Sequence, residues 1–101
     1  VKRAARCGAV LLMAAPMLCA AHSDDWCADA VDFAMGAAQN LELGYPLQII
    51  VGSIDRDPSY YQRMFEQLSP DDLKQITTTV YEHRWSRFEA AQGMTETCVP
   101  D

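Results

Sequence analysis

No apolar run in this 101-residue sequence is long enough to cross a bilayer. The longest uncharged stretch, residues 7–21, is shorter than the about 20 residues a spanning helix needs. It is interrupted by Gly8 and Pro16 and ends at His22-Ser23-Asp24-Asp25. A stable membrane anchor is therefore not expected. Basic residues are scarce beyond it: all 14 acidic residues follow position 21, but only Arg56, Arg63, Lys74, Arg84 and Arg87 of the eight basic ones do, a balance of −9. Such a surface argues against nucleic acid and anionic lipid, both of which are bound through clusters of Lys and Arg. Chemistry-bearing motifs are lacking too. There is no Gly-x-Ser-x-Gly, no glycine loop able to cradle phosphate and no Cys-x-x-Cys. His22 and His83 stand far apart, without the spacing of a zinc site, and "DRDPSYYQ" has Pro58 and no central glycine where an EF-hand loop needs one. Asp25, Asp29 and Asp32 share a helical face, but acidic residues early in a helix are accounted for by the macrodipole. No cofactor, no metal and no enzymatic activity are expected.

What is present begins with an address. Lys2, Arg3 and Arg6 precede the uncharged stretch, and Ala21 with Cys19 supplies small residues for cleavage, the tripartite pattern of a secretory signal. Residues 1–21 are expected to be removed, with cleavage after Ala20 as the alternative. Leu18 and Pro16 occupy the positions where a lipoprotein signal carries a small residue and a leucine, so lipidation of Cys19 is not expected. The opening valine reads as a bacterial GTG start or as the result of trimming at the N terminus. Export to the periplasm or the medium follows, and in an oxidising compartment the two cysteines after position 21, Cys27 and Cys98, have only each other to pair with.

The remaining residues, 22–101, read as one small helical domain near the lower size limit for an unassisted core. A first helix over residues 24–43 carries Cys27, Val31, Ala34, Ala38 and Leu41 at steps of three and four, capped by Ser23 or Asp24 and stopped by Gly44. Pro46 opens a second through "IIVGSI"; one isolated strand there would have no partner. Asp57-Pro58 opens a third with a stripe of Tyr61, Met64, Phe65 and Leu68. Ser69-Pro70-Asp71-Asp72 opens a fourth with Leu73, Ile76, Thr77, Val80 and Tyr81 inward. Ser86-Arg87-Phe88-Glu89 reads as a capping box, predicting a break near Trp85 and a fifth helix carrying Phe88, Ala91, Met94 or Thr95, and Cys98, with Gly93 weakening it and Pro100 ending it. The expected architecture is all-α: a bundle of four to five short helices stapled by one disulfide.

A signal peptide, a cysteine in the first helix, "GYP", "VYEHRW" and a cysteine near the end together resemble a group of small exported helical proteins of Gram-negative bacteria with no assigned function. The resemblance spans residues 22–101. In size and two-cysteine economy the chain is also similar to periplasmic acid-stress chaperones of the HdeA type and to small helical immunity proteins. HdeA-type chains differ in bridging a shorter segment and carrying many more lysines. Export, acidity, one disulfide and a motif-free helical fold suit a protein that works through its surface, a binding or inhibitory module for a basic envelope protein or toxin. The HdeA-type resemblance implies an acid-responsive chaperone as the alternative. Tyr60, Trp85, Arg84 and Arg87 are candidate interface residues, being of the types found in interface hot spots.

Overall fold

Helix-capping chemistry divides the chain into five helices in the computed structural model, which describes residues 22–98. Helix α1 spans Asp24–Glu42; the Ser23 hydroxyl accepts from the Trp26 backbone N–H, and Asp24 and Asp25 sit at the positive end of the dipole. It ends in a Schellman turn. Gly44, at φ 87°, donates to the Leu41 carbonyl, and Tyr45 donates to that of Asn40. Helix α2 covers Leu47–Arg56, beginning one position later than the sequence suggests, with Pro46 as a cap that has no side-chain bond to offer rather than as its first residue.

Helix α3, Pro58–Met64, is shorter than its apolar stripe predicts. Phe65 leaves helical geometry, Leu68 is buried from the following loop, and Met64 is half exposed. Nothing in α3 is fully buried, so packing does not extend it beyond two turns. Helix α4, Pro70–His83, begins with a full capping box between Ser69 and Asp72. It ends in a second Schellman turn in which Arg84, a non-glycine residue at φ 52°, donates to the Tyr81 carbonyl and Trp85 donates to that of Val80. Helix α5, Arg87–Cys98, begins at the expected box: Ser86 and Glu89 exchange hydrogen bonds of 2.9 and 3.1 Å.

Helix α1 is the central element, packing against both α4 and α5; α2 packs on α4, and α3 touches α2 lightly. The buried face of α1 is Trp26, Ala30, Phe33, Ala34, Ala37 and Ala38. This corrects the expected stripe, which shares only Ala34 and Ala38 with it; Cys27 and Val31 lie at its margin, packed against the core. Four alanines on that face let the neighbouring helices come close. Leu73, Ile76, Thr77 and Val80 of α4 are buried as expected, and Thr77 satisfies its hydroxyl by donating to the Leu73 carbonyl at 2.8 Å. From α5 the core receives Ala90, Met94 and Cys98. Phe88, expected inward, is 75 % exposed, a correction that follows from phase: Ala90, Met94 and Cys98 repeat every four residues, and Phe88 falls between them.

Two polar features hold the helices in register. Asp72 is buried, and its Oδ2 accepts from the Trp26 indole N–H at 3.0 Å as well as from the Ser69 backbone N–H. One carboxylate thus caps α4 and ties it to α1. From the next residue of α1 the Cys27 thiol reaches the Cys98 carbonyl at 3.6 Å, and the two cysteines come within 2.5 Å of each other.

Candidate interaction surface

The candidate residues from the sequence fall into two groups. Arg84, Trp85 and Arg87 meet at the corner between α4 and α5. Arg84 is the exposed left-handed cap. Trp85 stacks on His83 with ring centroids 5.1 Å apart and packs against Gly93, where a β-carbon would stand 2.6 Å from the indole. Trp85 is therefore partly a packing residue. Arg87 pairs with Glu42 at 3.4 Å, joining the start of α5 to the end of α1. Leu43 and Phe88 each follow a member of that pair, and both are largely exposed, so apolar surface gathers at this end of the molecule.

Tyr60 belongs elsewhere. Adjacent tyrosines diverge on a helix: Tyr61 turns inward, bonding its hydroxyl to that of Ser53 at 2.8 Å and meeting the edge of Phe33, while Tyr60 stays half exposed. Between α1 and α3 lies a groove of about 310 Å³. Its walls include Phe33 and Phe65, in edge contact at 5.2 Å, with Tyr60, Tyr61 and Met64, and its α1 side includes Gly36 and the amides of Gln39 and Asn40. None of Arg84, Trp85 and Arg87 lines it.

The sequence reading missed this groove because it arises from what α3 does not do. Pro58, set by the Asp57 cap, starts a helix too short to lie down on α1. The aromatic rings then bridge the gap from the α3 side and leave space between them. A legible signal was Met64 close to Tyr60 and Tyr61 in sequence; methionine adapts to irregular apolar surfaces.

Charge around the groove is uneven. Helix α1 contains Asp24, Asp25, Asp29, Asp32 and Glu42 and no basic residue. Asp29 accepts from the Gln67 backbone N–H at 3.0 Å, which places it beside the chain leaving Phe65. Elsewhere Lys74 donates to Asp55 at 2.9 Å, and that hydrogen bond raises the lysine pKa. Desolvation raises that of Tyr81, whose hydroxyl donates to the Tyr45 carbonyl at 2.7 Å. Among the described residues no three His, Cys, Asp or Glu side chains are grouped to hold a metal ion, and no helix is long and apolar enough to cross a membrane. The signal peptide expected over residues 1–21 lies outside the described residues. Comparison of the chain with protein-family profiles, with curated proteins and with solved structures finds no match.

Proposed function

We propose that this chain is an exported protein of the periplasm or medium that acts by binding another protein, as an inhibitory or immunity-type module, through an acidic helical surface. The observation that carries the reading is the apolar surface left uncovered in two places on a small, strongly acidic domain: Leu43 and Phe88 at one end, and Tyr60 and Met64 along the groove. Patches of this kind, rimmed by charge, mark sites of protein contact. The balance of −9 over residues 22–101 favours a basic partner, whose association would be steered electrostatically and weakened by salt. A Cys27–Cys98 bridge belongs to the proposal; the approach of the two residues supports it, and an oxidising compartment would close it.

The test is the intact mass of the natively exported protein, with and without reduction and alkylation, followed by capture of its bound partner across a salt series. A chain starting at His22 with its thiols protected until reduction, and a complex that dissociates as salt rises, are expected. Reactive thiols at Cys27 and Cys98, or a complex indifferent to salt, would refute the corresponding part.

An acid-responsive chaperone is the second reading, favoured by the Asp72 carboxylate that joins Trp26 to the α4 cap. Acid sufficient to neutralise the 14 carboxylates would turn the charge of residues 22–101 strongly positive and loosen that junction. Fluorescence of an apolar dye should then rise on acidification with the bridge intact; a flat signal from neutral pH into strong acid would eliminate this reading.

A further inference from the structure

Three glycines sit inside helices of this protein, Gly36, Gly52 and Gly93, and the first and last have opposite surroundings. Gly93 in α5 is explained from within, because Trp85 fills the space a β-carbon would take. Gly36 in α1 is not. A β-carbon there would meet nothing within 4 Å, and the residue is exposed, well inside a 19-residue helix where alanine would hold the backbone better. Gly36 lies in the groove, among Phe33, Ala37, Tyr60 and Met64. A bare backbone at the side of an aromatic groove lets a second backbone approach closely.

We infer that the groove between α1 and α3 receives an amphipathic helix of a partner protein, with apolar anchors toward Gly36, Tyr60 and Met64 and basic residues toward α1. The inference rests on the proposal that the protein binds a basic partner, and it names the site. The groove has the open, methionine- and aromatic-walled character of helix-in-groove recognition. The occupant's charge follows from α1: Asp29 and Asp32 stand one helical turn before Phe33 and Gly36, and α1 carries no basic residue to offset them. A second copy of this chain would set one acidic α1 against another.

The probe is a fluorescent synthetic helix of about 18 residues, with leucines at i, i+3, i+4 and i+7 spacing and lysines elsewhere. It is compared with a scrambled peptide of the same composition and with a version carrying glutamate for lysine. Binding to residues 22–101, with the bridge closed, is followed at low and moderate salt. The amphipathic basic peptide should bind at least about tenfold more tightly than the scrambled one, and the acidic peptide should not bind. Gly36→Ala should raise the melting temperature yet weaken binding. Gly36→Gln, which fills the groove with a polar chain, and the double variant Tyr60→Ser/Met64→Ser should each weaken it by about tenfold or more while the helical circular dichroism is retained. Asp32→Asn should lessen the salt dependence.

Basic peptides that bind equally whether amphipathic or scrambled, and equally to all groove variants, would overturn the groove and leave the acidic-surface reading standing. Failure of both basic peptides to bind at low salt would overturn both. Concentration-dependent dimerisation abolished by Tyr60→Ser/Met64→Ser would also overturn the inference, by showing that the groove is covered by a second copy.

Discussion

Replacing Gly93 by alanine should destabilise the protein, against the rule that glycine inside a helix is a weakness. Helix propensity alone predicts a gain of about 0.5–1 kcal/mol for this change. The structure opposes it: the new β-carbon would fall 2.6 and 2.7 Å from two atoms of the Trp85 ring and 3.1 Å from a third. The ring cannot yield freely, because it is partly buried against the core and stacks on His83, whose Nδ1 is 2.9 Å from the Thr79 carbonyl. Forcing a methyl group into a filled site costs about 1–3 kcal/mol. The net expectation is a loss of about 0.5–2 kcal/mol, the overpacking cost less part of the propensity gain. For a domain of this size each kcal/mol moves the melting temperature by about 4–8 °C, so thermal unfolding followed by circular dichroism resolves it. The sign should reverse where the indole is absent: in a Trp85→Ala background, Gly93→Ala should stabilise by about 0.5–1 kcal/mol. A rise in melting temperature on Gly93→Ala with Trp85 in place would refute the reasoning.

Asp72→Ala should cost about 2–3 kcal/mol, because it removes half of a capping box and leaves the buried Trp26 indole N–H without its acceptor; denaturant titration measures it, and a loss under 1 kcal/mol would refute the dual role. With the bridge closed, reduction or Cys98→Ser should lower stability by up to about 4 kcal/mol, since the joined residues are 71 positions apart; equal unfolding midpoints with and without reductant would speak against the staple. Arg84→Gly should stabilise by about 1 kcal/mol by relieving left-handed geometry at a side-chain-bearing residue, so a lower melting temperature would mean the arginine side chain contributes to the fold. Tyr81, its pKa raised by desolvation, keeps its proton in the folded chain at pH values where the unfolded chain has lost it, so stability is fully present below about pH 10 and declines as pH rises through the folded value. Tyr81→Phe should flatten that alkaline decline, and an unchanged slope in pH-dependent denaturation would refute the assignment; Lys74, raised by its bond to Asp55, titrates with the same sign.

Most helix boundaries were legible in the residues, because they are set by chemistry that acts over four or five positions. Ser23, Asp57, Ser69 and Ser86 bond to backbone N–H groups three residues on, and Gly44 adopts the positive φ that ends α1. Such interactions are local, and no distant part of the chain can cancel them cheaply. The inward stripe of α4 was legible for a related reason: with one strongly apolar face it has little choice of orientation. Helices α1 and α5 do have a choice. Alanines surround much of α1, and α5 has apolar residues on several sides, so periodicity could not select between Cys27 and Trp26, or between Phe88 and Ala90, as the buried member. Those selections depend on which neighbours arrive: Asp72 draws the Trp26 indole inward, and Trp85 takes the space that Gly93 leaves. The candidate residues divide in the same way. Residue type singled out Tyr60, Arg84, Trp85 and Arg87, but only tertiary packing decided that Trp85 is partly core, that Arg87 ties α5 to α1, and that Tyr60 lines a groove. The sequence by itself determined an all-α chain and most of its helix ends, since capping is a short-range hydrogen-bond effect. Tertiary structure decided which faces are buried and where a groove remains, since burial depends on the shapes of helices far apart in the chain.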